Sequence, residues 1–335
     1  MGRKKYNVAV AGATGAVGRK LIEVLEKRNF PVSVLKLLAS KRSAGEIISF
    51  GGREHVVEVM KEDSFDGADI ALFSAGASVS SVYAPIAVRS GAVVIDNSSC
   101  FRNDPSVPLV IPEINPGDAS LHKGIISNPN CTTAIMLMAL YPVYKAAGIK
   151  KIIVSTYQSV SGAGMKGIVE LEEQILNISK GIKPEMSVFK YPIAFNLIPH
   201  IDSFTGTGYT KEEIKMLNET RKILHDDKIK VSATCVRVPV KSVHSMSVTF
   251  VTEQNIKPDD VRDFLRGSKG IKVIDEPDKN RYPMPVSAEG EFDCFAGRIR
   301  KDSAFRNGIS MWICGDQLLK GAALNAVQIA ELLIK

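Results

Sequence analysis

The segment YNVAVAGATGAVGRKLIEVLEKRN, residues 6 to 29, limits the possible folds of this chain more than any other stretch. A short apolar run turns on glycines and continues as an amphipathic helix with Val17, Leu21, Val24 and Leu25 on one side, which reads as strand, tight turn and helix. The turn GATGAVG fits G-x-x-G-x-x-G: Gly12 permits the tight turn, Gly15 lets backbone approach a pyrophosphate, and Gly18 lets the helix pack on the strand. Thr14, Ala16 and Val17 complete the expected cofactor-binding stretch. Three further apolar runs, SVLKLLAS, ADIALFSAG and GAVVIDNSS, end in small or polar residues and are separated by helical stretches such as 78 to 89. The expected fold class is α/β, a Rossmann-type doubly wound parallel sheet with its ligand at the strand C-terminal ends.

From about residue 151 the pattern changes. KKIIVSTYQSV, SATCVRVPV and SMSVTFVTE are β-rich, a helix is expected over 210–225, and the regular alternation is lost, as in a second α+β domain with a mixed sheet. GDQLLKGAALNAVQIAELLIK reads as one long helix returning to the first domain. The expected division is therefore 1–130, completed by 316–335, and 131–315. With 335 residues, 45% of them hydrophobic, the chain is long enough for two cores.

The net charge of +7 is spread among carboxylates, without a basic run interleaved with aromatics, so it argues against nucleic acid and suits an anionic small substrate. No apolar stretch reaches the roughly 18 residues of a membrane helix, and the basic start leads into a glycine turn, so the expected setting is cytoplasmic. Cys100, Cys131, Cys235, Cys294 and Cys314 are odd in number and lack CxxC or metal-ligand spacing, which indicates neither a disulfide framework nor a metal site.

In NPNCTT, Cys131 follows an Asn-Pro-Asn loop and stands before AIMLMAL, which reads as a buried helix. Unpaired N–H groups and the helix dipole at that place stabilise a thiolate and lower the thiol pKa from about 8.5. A small buried hydrophobe is the other reading of such a cysteine. The second strand ends ASKRSAG, where Ser40, Lys41, Arg42 and Ser43 offer hydroxyls and cations and no carboxylate for a ribose 2′-hydroxyl. That end suits a 2′-phosphate, so NADP is expected over NAD.

These motifs, with DNSSCFR, QSVSGAG, EEIKMLNETRKIL, VRVPVKSVHS and KGAALNAVQIAE, occur in an order and spacing that resembles the aspartate-semialdehyde dehydrogenases over nearly the whole chain. The resemblance implies NADP-linked reduction of β-aspartyl phosphate to aspartate β-semialdehyde. It makes Cys131 the nucleophile, His244 the acid/base residue and Gln158 the residue positioning the thioester carbonyl. It assigns Arg237 to the substrate α-carboxylate, Glu212 to its ammonium, and Lys215 and Arg102 to phosphate. Asn130 lies beside an oxyanion site at the Cys131 N–H, and Asn325 near the nicotinamide. The family also implies a homodimer or homotetramer formed through the second domain's sheet.

Two points stay open at this stage. Thr210 and Glu213 make a capping box, leaving Glu212 and Lys215 on one helical face, but Glu219 and Lys222 repeat that spacing. Arg237 and His244 are seven apart and would face opposite sides of one straight strand, so a bend or sheet edge at Pro239 is expected to bring them together. Two rival functions fit the same turn and cysteine: an N-acetyl-glutamyl-phosphate reductase, whose substrate has no ammonium for Glu212, and a non-catalytic protein of the same fold.

Overall fold

The computed structural model describes residues 4 to 334. The chain divides into two compact units, one running to Asn130 and resuming at Ala322, the other spanning Cys131–Gly321. The first contains strands β1 (Tyr6–Ala11), β2 (Val32–Ala39), β3 (Ile47–Phe50), β4 (Arg53–Val56), β5 (Glu58–Val59), β6 (Ile70–Phe73), β7 (Val93–Asp96) and β8 (Ile125–Ser127). β3 and β4 pair as a hairpin, and the others form a sheet in the order β5-β2-β1-β6-β7-β8, parallel throughout. The order reverses between β1 and β6, where open α/β sheets hold ligands beyond their strand ends. Val8 to Ala11 are all buried, as expected for a parallel strand covered on both faces.

Helix α1 (Ala16–Lys27) buries Gly18, Leu21, Ile22, Val24 and Leu25. Gly12 takes φ +86°, and a Cβ on Gly18 would lie 2.0 Å from the Gly12 carbonyl oxygen, so the turn tolerates no side chain at that crossing. Helix α2 (Ala77–Arg89) follows β6 in the same way. No helix among the described residues is long and apolar enough to cross a membrane.

The second unit contains β9 (Ile149–Gln158), β10 (Lys230–Arg237), β11 (His244–Thr252), β12 (Ile271–Val273), β13 (Cys294–Lys301) and β14 (Gly308–Gly315). They form one mixed sheet, β10-β9-β11-β14-β13-β12. Helices α3 (Cys131–Ala147), α4 (Met165–Ser179), α5 (Lys211–Leu224), α6 (Pro258–Arg266) and α7 (Pro285–Ala288) complete it. α3 packs on β9, β11, β13 and β14 and is flanked by α5 and α6. Cover on every side explains why Thr132 to Leu140 are buried without a polar face. Ile152, Val154, Thr156 and Gln158 are buried, whereas Ile153, Ser155 and Tyr157 between them are exposed or half-buried. The other face of the sheet is thus only partly covered.

The C-terminal segment departs from a single uniform helix. Residues Leu319–Ala323 form a π-helical turn, and α8 (Leu324–Leu333) begins after it. Residues before Ala322 go with the second unit, while α8 belongs to the first, where Glu331 accepts two hydrogen bonds from Arg28 at 2.7 Å each.

Gly18→Ala forces α1 away from the turn and is expected to destabilise the protein by about 2 kcal/mol or more, read as a lowered urea midpoint at unchanged slope. An unchanged midpoint would show that the close approach is not needed.

Candidate active site

Cys131 is the first residue of α3 and is partly accessible. Two glycines set its place: a Cβ on Gly321 would lie 2.7 Å from Cys131 Cβ, and one on Gly315 would lie 2.8 Å from Ile135 Cγ2. The helix start therefore rests directly on backbone. Cys235, Cys294 and Cys314 are buried, and burial pushes the Cys235 thiol up to about 12 and that of Cys314 up to about 11. Cys100 is partly accessible, but desolvation and the nearby Asp96 charge raise its thiol as well.

Strand pairing assembles the polar residues. Arg237 ends β10 in register with Gln158, the last residue of the parallel β9. On the other side of β9 runs the antiparallel β11, with Ser245 opposite Tyr157, and the next step of that register sets His244 opposite Gln158. Arg237, Gln158 and His244 thus stand in a row across three adjacent strands. At Pro239 the chain has just left β10, the edge strand of the sheet; the two residues lie on different strands, and 238–243 cross the end of β9, bonding Val238 N–H to Gln158 O at 3.0 Å and Val160 N–H to Val240 O at 2.9 Å. The odd spacing is immaterial because the chain reverses direction between them.

The row continues into α5. The Thr210–Glu213 capping box forms as expected, and Glu213 also accepts the Cys235 N–H at 3.0 Å, pinning the helix start to β10. Thr156 Oγ1 donates to Gln158 Oε1 at 3.0 Å, so the amide turns its NH2 to Glu212 Oε1 at 3.3 Å. Lys215 Nζ lies 3.1 Å from Glu212 and 2.8 Å from Asp202. Burial works against the Lys215 ammonium, yet Glu212 and Asp202 raise it above its usual value. Glu212 joins the row through Gln158, and Glu219 is buried on the same helix.

Arg237 is 7% exposed and donates to the Ser159 carbonyl oxygen at 2.6 Å. Burial pulls its guanidinium below the usual range, and the charges of Glu212 and Cys131 oppose that pull, which brings the thiol within electrostatic reach of the row. Phe189 lies beneath the guanidinium, 6.0 Å from ring centroid to Cζ. A Cβ on Gly162 would lie 2.8 Å from Arg237 Nη1 and 3.3 Å from His244 Cε1, so a bare backbone passes between the two. His244 is fully buried; desolvation, then the Arg237 charge, pull its pKa from 6.5 to about 3. Its Nδ1 faces Ser159 N–H at 3.2 Å and Ser159 Oγ at 3.1 Å. Its Nε2 is buried without a hydrogen-bond partner among the described residues, a position that a reactant oxygen would satisfy.

In the first unit, Gly15 is the N-cap of α1, and neither a capping side chain nor an acidic residue occupies that helix start, leaving its N–H groups for an anion. Thr14, Ala16 and Val17 are half-buried around it. Ser40, Lys41 and Arg42 are exposed just past the end of β2, with Ser43 half-buried. Arg102 is buried and donates to the carbonyls of Asn128 at 2.9 Å and Asn97 at 2.7 Å. Asn130 is buried two residues beyond that loop carbonyl. Asn325 is fully buried in α8 and donates to Val110 O at 2.9 Å and Asn128 Oδ1 at 2.6 Å, which ties the helix to the same loop. Gly162, Gly321, Ser159, Asp202 and Gln317 escape a reading of the sequence alone. Their significance comes from close approach or hydrogen bonding, which no spacing in the chain announces.

Iodoacetamide is expected to alkylate Cys131 first, with Cys100 slower and the other three protected until unfolding, as peptide mass spectrometry would record. Even labelling of all five would contradict this. The buried imidazole has a second consequence. Between pH 6.5 and 3 an unfolded His244 binds a proton that the folded ring refuses. Stability therefore falls as pH drops through this window, at most by about 1.4 kcal/mol per unit from this residue. His244→Asn should lose stability less steeply than wild type there in acid denaturation. Parallel curves would place the wild-type ring in solvent.

Two family models match the chain: "Semialdehyde dehydrogenase, NAD binding domain" over residues 7–122, and "Semialdehyde dehydrogenase, dimerisation domain" over 140–320. The chain is 56% identical to the aspartate-semialdehyde dehydrogenase of Aquifex aeolicus (strain VF5), covering 98% of each. It is 51% identical to that of Bacillus subtilis (strain 168), covering 100% of this chain and 99% of the other. The crystal structure of aspartate semialdehyde dehydrogenase II from Vibrio cholerae complexed with ASA superposes with a TM-score of 0.97 at 47% identity, covering 99% of this chain and 98% of that one. The enzyme from Candida albicans with NADP gives 0.77 at 26% identity and 98% coverage of both. Likeness of this extent over both units, together with the row of residues beside Cys131, places the chain in the aspartate-semialdehyde dehydrogenase family.

Proposed function

We propose that this chain is an NADP-dependent aspartate-semialdehyde dehydrogenase, interconverting β-aspartyl phosphate and aspartate β-semialdehyde with phosphate as co-product. The observation that carries the residue roles is the row Arg237–Gln158–His244, held by strand register and joined through Gln158 to Glu212 and Lys215. Cys131 attacks the acyl phosphate; its Sγ bonds to the acyl carbon and phosphate leaves. Arg237 grips the substrate α-carboxylate in a fork. Glu212 takes the ammonium, and Lys215 and Arg102 take phosphate. Gln158 steadies the thioester carbonyl, and the N–H groups at the α3 start, beside Asn130, stabilise its oxygen when charge develops there. His244 handles the proton at its free Nε2.

The first unit fits the cofactor: the glycine turn and bare start of α1 hold the pyrophosphate, and Ser40, Arg42 and Ser43 hold a 2′-phosphate. A reduced nicotinamide held by these residues would supply hydride chemistry. Asn325 supports the loop at Asn128. The N-acetyl-glutamyl-phosphate reductase reading is not favoured: relatives this similar are named for the aspartyl enzyme. The same reading places the enzyme in the biosynthesis of the aspartate-derived amino acids lysine, threonine and methionine, and in the cytoplasm. It also makes the enzyme a homodimer or homotetramer built on the second unit's sheet, whose outer face carries Ile153 at 40% exposure and the Tyr157–Trp312 ring pair.

With semialdehyde, phosphate and NADP, the purified enzyme is expected to reduce the cofactor, and Cys131→Ala to fall to background while still binding NADP. Substantial turnover in Cys131→Ala would make the thiol a packing group. Arg42→Ala is expected to weaken NADP at least about tenfold, equivalent to about 1.4 kcal/mol, while leaving NAD nearly unchanged. Equal losses for both cofactors would refute the 2′-phosphate assignment.

A further inference from the structure

Behind His244 lies a chain of buried hydrogen bonds whose two ends have a fixed polarity. Val243 precedes His244 at φ +71°, a left-handed conformation that a β-branched residue rarely adopts, and its N–H donates to Gln317 Oε1 at 2.8 Å. A backbone N–H can only donate, so this bond fixes the Gln317 amide with its oxygen toward Val243 and its NH2 toward Ser161 Oγ, to which Nε2 donates. The Ser161 hydroxyl, accepting there, can give its own proton to Ser159 Oγ at 3.1 Å. At the other end the Ser159 N–H, which can only donate, points to His244 Nδ1 at 3.2 Å and makes it the acceptor, so the Ser159 hydroxyl 3.1 Å away donates to it as well. Gln317, Ser161 and Ser159 are each 3% exposed or less, so water does not compete for these bonds.

We infer that Gln317, Ser161 and Ser159 are positioning residues that fix the tautomer of His244, keeping Nδ1 unprotonated and Nε2–H directed into the site. The inference rests on the acid/base reading of His244 and sharpens it. A neutral ring with Nε2–H meets the substrate as a hydrogen-bond donor, so its first service is to an acyl or phosphoryl oxygen. The partly accessible Cys131 thiol then loses its proton to water at the helix start, not to Nε2. The Val243 carbonyl favours a protonated nitrogen, which the two Ser159 donors oppose at Nδ1, while burial and Arg237 keep the ring neutral.

Long-range 1H–15N correlation on 15N-histidine-labelled protein at neutral pH, with the His244 signals assigned by their loss in His244→Asn, reads the proton position directly. The expected wild-type spectrum has a pyridine-type Nδ1 and a pyrrole-type Nε2. Gln317→Glu places a carboxylate oxygen, which only accepts, opposite Ser161. Ser161 must then donate to it, Ser159 must donate to Ser161, and Nδ1 meets a lone pair, so the Nδ1-protonated population should rise. The kcat should fall about tenfold or more while KM for the semialdehyde changes less than about twofold. Ser161→Ala cuts the chain and should give a smaller rise, and adding Gln317→Glu to it should change the tautomer no further. A wild-type ring protonated on Nδ1 overturns the inference. So does a wild-type-like tautomer in folded Gln317→Glu or, should that variant not fold, in Ser161→Ala. The spectra decide this whether or not His244→Asn loses turnover, so failure of the tautomer assignment and failure of the acid/base role are told apart.

Discussion

The site depends on the pairing of β9 with a parallel neighbour on one side and an antiparallel neighbour on the other. That register sets Arg237, Gln158 and His244 side by side, although the chain places them 79 and 7 residues apart. A slip of one residue in either pairing would send a side chain to the opposite face. The backbone bonds of 238–243 across the end of β9 hold the register at the end where it is needed. The row is therefore a property of the sheet, and α5 is attached to it by the Glu213 carboxylate on the Cys235 N–H.

Burial then gives these groups properties that exposed side chains would lack. Arg237 is desolvated and answered by Glu212, and His244 is held neutral by the same burial and by Arg237 itself. Removing one member leaves the others with uncompensated charge in a dry setting, which is why such clusters cost far more to break than surface pairs. The glycines contribute by absence. Gly162 lets backbone pass between Arg237 and His244, and Gly321 lets the start of α3 rest on the chain, so the thiol is placed by contact with main chain, which cannot swing aside as a side chain can.

A loop away from the row is anchored by similar means. Burial disfavours the Glu170 carboxylate, but the N–H groups of Val188, Ser187 and Phe189 and the Ser187 hydroxyl bind it and lower its pKa. That anchor orders the segment from which Phe189 covers Arg237. Neither Glu170 nor Phe189 belongs to any motif, yet both shape the surroundings of a substrate-binding group.

The sequence by itself determined the elements whose causes are local. The first glycine turn, the alternation that makes a doubly wound sheet, the apolar helix opened by Cys131 and the capping box at Thr210 all follow from residues a few positions apart. The resemblance carried by its motifs also pointed to the family. Tertiary structure decided what depends on partners distant in the chain. It joined Glu212 to the row through Gln158, and it carried the chain from the edge strand β10 across the end of β9 at 238–243. It also moved His244 far from its unperturbed pKa and brought Gln317 to Ser161 across 156 residues. Register, burial and hydrogen-bond polarity arise only when separate segments meet, and no spacing along the chain encodes them.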